Sequence, residues 1–320
     1  MRRFRKILFL NRPGLDDIHA FKRAARLAEE NEAELKIIEV HATVTAGPEM
    51  DQQQVSHSAL IKASKAQRQL YLERLAEPYN KYIQISTEIF FGRAFIETIM
   101  EVQRHGHDLV VLAPEKHKLG TMIFGSTDMH LLRKCPSPVW IVKPGSDEPF
   151  QNIMAAVDMD PSDDSKEPLN RQIIELASSL AQAEGSRLHI AHAWAAPYTT
   201  LTSFSDYVST TYNMESWIED VYMSHQSWLT KLIDSVAPKQ LRGSEPDIHL
   251  IEGEAGDAIP QLTGEQHIDL LVMGTVARTG IPGFLIGNTA ENIISRLNCS
   301  LLAVKPEGFV CPVPVDEDAD

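Results

Sequence analysis

The sequence predicts an α/β protein made of two tandem copies of one domain, each a parallel sheet covered by helices on both faces. Three observations predict it. The chain repeats itself: FGSTDMHLLRKCPSPVWIVKP at 124–144 aligns without a gap on IGNTAENIISRLNCSLLAVKP at 286–306. Upstream, GRAFIETI from Gly92 matches GEAGDAIP from Gly253, and DLVVLAP from Asp108 matches DLLVMGT from Asp269. The offset is 161 residues in these upstream segments and 162 beyond them, so the first copy lacks one residue between the blocks. A nearly constant offset over so long a span marks a duplicated unit. Second, 320 residues fit two domains of ordinary size, each able to bury its own core. Third, short apolar runs alternate with helical patterns throughout, as in βαβ units.

In the first copy the apolar runs place strands at 6–10, 35–41, 83–90, 109–113 and 138–142. Helical patterns lie between them at 16–30, 57–79, 94–105 and 127–133. The second copy has strands at 153–157, 188–193, 248–251, 270–273 and 301–304, with helices at 168–184, 214–236, 257–264 and 289–297. Runs that are apolar at every position imply strands covered on both faces. Pro260 falls near the expected start of its helix, where a missing N–H costs little. Domain 1 is expected over 1–145 and domain 2 over 150–309, with a short linker around PGSDEP and a disordered acidic tail at 310–320. A hydroxyl- and aromatic-rich stretch at 198–213 is expected to be a lid or an irregular loop.

Composition narrows the function classes. The chain is 43% hydrophobic and has no apolar run near the roughly 18 residues of a membrane helix, so no membrane insertion is expected. The basic start MRRFRK is followed by only four apolar residues and reads as a first strand, not a secretory segment. A net charge of −14 repels nucleic-acid backbones and anionic membranes, which argues against direct nucleic-acid binding. Three cysteines without a CxxC pattern suit a reducing, cytoplasmic setting. Cys135 and Cys299 read as small buried residues and Cys311 as the candidate reactive thiol.

The stretch MGTVARTGIPGFLIGNTAEN (273–292) carries the candidate chemistry. A glycine leaves a strand, a glycine-rich loop follows, and Gly287-Asn288-Thr289 opens a helix. Small residues let backbone N–H groups approach phosphate oxygens, and the positive end of a helix dipole favours an anion. Asn288 and Thr289 add side-chain donors, Arg278 a positive charge, and Asp158 at the end of the domain's first strand an acceptor for sugar or base. Ligands of open parallel sheets sit beyond the carboxyl ends of the strands, where these residues fall. The bland alternative makes the glycines turns and Asp158 an N-cap. The loop also lacks the Gly-Lys-Ser/Thr ending of a Walker site.

The spacing resembles that of the universal stress proteins, which carry Gly, two residues, Gly, nine residues and Gly-Ser/Thr after strand four, with an Asp closing strand one. Gly274, Ala277 and Gly287 hold that spacing, and Asp158 stands at the Asp position. HLLRKCPSPVWIVK, GTVARTG, GNTAEN and the acidic tail extend the resemblance over the whole chain, to the family's tandem E-type branch. The resemblance implies flavodoxin-like domains with strand order 3-2-1-4-5 and, in some members, bound ATP. It assigns the nucleoside to Asp158, and ribose and phosphates to Gly274, Gly287, Asn288 and Thr289. Ala277 departs from the second glycine and Asn288 from Ser/Thr. In the first copy Asn11 stands in the alignment where Asp is expected, Ala113 and Lys116 replace two glycines, and the loop is a residue short. That copy reads as degenerate for nucleotide.

The resulting expectation is a non-enzymatic, cytoplasmic stress-response protein that binds ATP or another adenine nucleotide in domain 2, with no metal beyond one the nucleotide carries. By resemblance it acts through partners in resistance to stress such as DNA damage. The rival is a nucleotide-independent carrier or scaffold for an apolar or amphipathic small molecule. The fifth strands, Val139–Lys143 and Leu301–Lys305, are expected to pair across the two domains, and a homodimer is compatible with this. The HGH run at 105–107 shows no evident third ligand and reads as a solvated turn. His41 and His192 are read as one recurring position, His189 and His249 as core or edge histidines, and Trp217, Tyr222 and Trp228 as core or interface groups.

Overall fold

The computed structural model describes residues 3–15, 17–43, 57–118, 121–145, 149–159, 166–195, 214–236, 245–275 and 286–314. Of the expected features, Ala277, Arg278, the 198–213 stretch and residues 315–320 lie outside them. The chain divides into two compact units, residues 1–117, 123–147 and 310–320 forming one and 118–122 with 148–309 the other.

In the first unit the strands are β1 (Lys6–Asn11), β2 (Glu34–His41), β3 (Ile85–Phe91), β4 (Leu109–Leu112) and β7 (Val139–Ile141). They pair in the order β3-β2-β1-β4-β7, all parallel. Helices α1 (Ile18–Asn31), α2 (His57–Ala76), α3 (Ala94–His105) and α4 (Ser126–Lys134) make the crossovers. Two short strands after β4, β5 (Lys116–Lys118) and β6 (Thr121–Ile123), have no counterpart in the sequence reading. The second unit has β8 (Asn152–Ala156), β9 (Arg187–Trp194), β10 (Asp247–Glu252), β11 (Leu270–Gly274) and β12 (Ser300–Val304), paired parallel as β10-β9-β8-β11-β12. Its helices are α5 (Glu167–Glu184), α6 (Met214–Val236), α7 (Ala255–Glu265) and α8 (Asn288–Arg296).

The core follows from composition. β1, β4, β11 and β12 are buried at nearly every position because helices cover both of their faces. β3 and β10 carry exposed residues between half-buried ones, and their sequences mix polar with apolar groups accordingly. α3 and α5 both end at a glycine in the left-handed conformation, Gly106 at φ 66° and Gly185 at φ 72°, where a side chain would be strained. α7 begins at Ala255, two residues before its expected start, so Pro260 lies inside it. Proline cannot donate to the carbonyl of Gly256 four residues back. Arg296 of α8 reaches that carbonyl instead, at 3.5 Å, and also pairs with Asp257.

Strand register corrects the sequence alignment near the amino terminus of each copy. Ile7 pairs with Leu109 and Ile153 with Leu270, and Leu109 and Leu270 are equivalent in the repeat. Counting along the strands then sets Arg12, not Asn11, against Asp158. By the same count Ile7 faces Leu35 and Ile153 faces Leu188, so Glu39, not His41, corresponds to His192. A strand seen as an apolar run has no internal marker of register, and the alignment slid by one and two residues.

Three other readings change. Cys311 donates to the Lys134 carbonyl at 3.3 Å, and burial pushes its thiol up, which disfavours the reactive thiolate. Of the stretch expected as a tail, residues 310–314 are described, and Val313 is buried. Trp217 and Tyr222 are exposed on α6, whereas Trp228 packs on His192 with ring centroids 5.0 Å apart. Cys135 and Cys299 are buried as expected. Among the described residues no helix is long and apolar enough to cross a membrane.

The first unit buries a full carboxylate network where its cleft would be. Glu39 is 0% exposed; it accepts two bonds from Arg68 at 2.7 Å, one from Asn11 at 2.6 Å, and contacts His41 Nε2 at 2.7 Å. Burial raises its pKa, but these partners outweigh that and hold it below the usual carboxylate range. Truncating Arg68 leaves a buried charge short of its main partner. Arg68→Ala is therefore expected to cost about 2 kcal/mol of unfolding free energy by urea titration, discounted because Arg68 is partly exposed. Glu39→Gln in that background should recover part of the loss.

Candidate functional site

A cavity of about 790 Å³ opens in the second unit at the carboxyl ends of β8, β9 and β11, walled by α5, α6, α7 and α8. Asp158, Gly274, Gly287, Asn288 and Thr289 all line it, so five of the seven expected residues converge on one hollow. Lys166, Asn170 and His225 add polar groups with no signal in the sequence, and His192, one of the recurring histidines, also lines the cavity. Ile173, Val221, Ile259, Met273 and Ile293 supply apolar wall.

Each polar residue is positioned by a local device. The Asn170 amide brackets the main chain of Asp158, accepting from its N–H at 3.1 Å and donating to its carbonyl at 2.7 Å. That clamp fixes the end of β8 against α5. The Asp158 carboxylate is exposed and pairs with Lys166 Nζ at 2.6 Å. His192 is buried, with Nδ1 3.1 Å from the Val157 carbonyl and Nε2 2.8 Å from His225 Nδ1. A carbonyl only accepts, so His192 carries its proton on Nδ1 and takes one from His225 at Nε2. Burial lowers both pKa values, more than the nearby Asp158 charge raises them, which keeps the pair neutral.

Gly274 has a packing reason of its own. A Cβ there would stand 2.8 Å from Leu169 Cδ2 and 3.5 Å from Leu169 Cγ, so the glycine lets α5 close on the end of β11. Among the described residues no side chain caps the helix start that follows: Gly287 is the N-cap of α8, and its own N–H goes to the Thr275 carbonyl at 3.2 Å. Asn288 and Thr289 are exposed on the cavity side of that first turn.

The equivalent helix start in the first unit is closed. Asp128, 0% exposed, accepts from the N–H of Gly125 and of Glu115, both at 2.8 Å, and pairs with Arg12 at 2.8 Å. Glu115 also lies against Gly125, its Oε2 falling 1.4 Å from where a Cβ would be. Two of the chain's own carboxylates thus fill the amino end of α4. Ala290 holds the position of Asp128 in the second copy, and Asp158 that of Arg12. The sequence marks the first copy as degenerate by Asn11, the two replaced glycines and the shortened loop; the structure adds this acid–base pair as a further physical difference. The signal was present in the sequence as Asp128 opposite Ala290.

The fold and site define a class: proteins of tandem five-stranded parallel α/β modules with a ligand-sized cleft at the strands' carboxyl ends. The chain belongs to the universal stress protein family, whose model matches residues 4–143 and 149–305. It is 30% identical over 317 residues to the universal stress protein E homolog of Haemophilus influenzae, covering 95% of this chain and 98% of that one. Universal stress protein E of Escherichia coli K12 is also 30% identical, over the full length of both. A putative universal stress protein of Pseudomonas aeruginosa UCBPP-PA14 shares the fold at a TM-score of 0.68 and 24% identity, over 95% of this chain and 94% of that one.

Gly274→Ala is expected to lose about 1 kcal/mol of stability in chemical denaturation as Leu169 is displaced. The neutral His192–His225 pair sets a pH dependence of known sign. Both folded pKa values lie below the ordinary 6.5, so the unfolded chain takes up more protons once pH falls below about 6.5. Stability should fall over that range, and less steeply in His192→Gln, in urea titrations at stepped pH.

Proposed function

We propose that the second unit binds an adenine nucleotide, ATP first among them, and that the protein is a non-enzymatic stress-response module signalling occupancy through partner contacts. One observation carries the reading. An uncapped helix start and the Asp158 carboxylate face the same cavity of about 790 Å³, a volume in the range of small-molecule sites. Phosphates suit the free amides and dipole of α8, with Asn288 and Thr289 as added donors. Asp158 and the histidine pair suit sugar hydroxyls and base edge. The first unit, plugged by Asp128 and Glu115, serves as a structural partner. Protection against stresses such as DNA damage would then run through proteins that read the loaded state.

The apolar wall favours a second reading, an amphipathic carrier in which Trp194 and the aliphatic side chains hold a ligand without phosphate. Calorimetry separates the two. ATP should bind saturably to the native chain, and Asp158→Ala should weaken it by roughly tenfold, the worth of a hydrogen bond to a charged group. Ala290→Asp rebuilds in the second unit the carboxylate that closes the first and should abolish ATP binding, with a lowered melting temperature because the site is buried and Asp158 stands at the place of Arg12; circular dichroism at about 25 °C should still show the native fold. No binding at millimolar ATP, with an apolar compound released on denaturation in mass spectrometry, would establish the carrier instead.

A further inference from the structure

We infer that the first unit carries a divalent-metal site for zinc, formed by Glu101, His105 and His107. α3 sets Glu101 and His105 one turn apart on one face, where side chains four residues apart meet. Gly106, left-handed at φ 66°, then ends the helix and returns the chain so that His107 comes back beside them. Glu101 Oε1 lies 3.0 Å from His105 Nδ1 and 3.1 Å from His107 Nε2. The three ligand atoms all lie within 4.8 Å of one another, the one such group of three among the described residues. Ligands about 2.0–2.2 Å from a tetrahedral zinc are spaced about 3.3 Å apart, so shifts well under an ångström to about one ångström complete the geometry. Two imidazoles and a carboxylate are zinc ligands by type, and they leave a fourth position for water.

Burial gives the site a wall and an entrance. Glu101 and His107 are 3% and 6% exposed at the side chain, whereas His105 is 54% exposed. Glu101 thus presents its carboxylate to both imidazoles from the buried side. A cation already stands there. Lys36 Nζ is 2.7 Å from Glu101 Oε1 and equally 2.7 Å from Glu88 Oε2. When a metal takes Glu101, the ammonium retains Glu88, which is half exposed and free to follow it outward. Lys36 is thus a competitor, and it weakens the site without closing it. His107 Nδ1 is buried with no hydrogen-bond partner among the described residues, so this ligand lacks the outer support that is worth roughly 10–100-fold in affinity. The cluster lies at the amino end of β2 and the carboxyl end of α3, at the opposite end of the strands from the clefts, so nucleotide binding elsewhere does not bear on it.

The test is titration of the tag-free full chain with Co²⁺, read by the visible d–d absorption of four-coordinate cobalt and followed by Zn²⁺ displacement. Saturation near one equivalent is expected, with Zn²⁺ abolishing the signal. His105→Ala and His107→Ala should each weaken binding at least tenfold, in the range of a lost ligand or its support. Lys36→Met should tighten it roughly tenfold and show a larger Zn²⁺-induced rise in melting temperature than the native chain, because the ion replaces the missing ammonium. The inference fails if neither the native chain nor Lys36→Met gives a saturable spectrum. It fails equally if the spectrum survives unchanged in the His105→Ala/His107→Ala double variant, which would place the cobalt elsewhere.

Discussion

What stands at the amino end of the last helix separates the two copies. A helix start exposes N–H groups that need acceptors, and the dipole makes an anion the favoured one. In the first unit Asp128, paired with Arg12, accepts from the N-cap amide of Gly125, and Glu115 stands against that glycine. In the second unit Ala290 stands at the corresponding place, the N-cap amide of Gly287 goes to the Thr275 carbonyl, and the helix start borders a cavity. One architecture thus carries a helix start filled by the chain's own carboxylates and another that borders an open cavity, with Asp128 against Ala290 at the third helical position.

The same logic runs through the rest of the first unit. Glu39 and Glu101 are both nearly inaccessible, and each is held by a basic side chain with histidine beside it. Buried charge costs several kcal/mol of desolvation per ion and returns it only with full hydrogen bonding. The first unit therefore fills its interior polar space with internal partners. In the second unit, His192 takes the place of Glu39 and stays neutral, and an open cavity replaces the ionic knot. The two copies have diverged in where their polar groups find partners, while their sheets kept the same pairing.

The fold was legible because its evidence is local and repeated. Fully apolar runs such as LVVL and SLLAV announce doubly covered strands, and the echo of GST in GNT announces duplication. Helix ends are legible to within a few residues, including the helix at Ala255–Glu265, which starts two residues before the sequence suggests and so encloses Pro260. The site was half legible. Gly287, Asn288 and Thr289 sit at a helix start, and helix starts have a sequence signature. Asn170 and the histidine pair do not, because their roles arise from contacts between elements far apart in the chain. The error at Asn11 has a related cause: an apolar strand shows its faces but not its register. Gly274 was noticed for a reason other than its structural one, since its missing side chain makes room for Leu169. The HGH run needed Glu101 one turn upstream, in a helix whose pattern advertises only core packing.

Pro260 has a consequence beyond its own helix. By leaving the Gly256 carbonyl open it gives Arg296 a docking point, and the guanidinium rivets the far end of α8 to α7. The amide cluster at the near end is therefore mounted on a stiff strut before any guest arrives. On the proposed reading, a guest would meet a preset electrostatic field and lose little of its binding free energy to ordering the host.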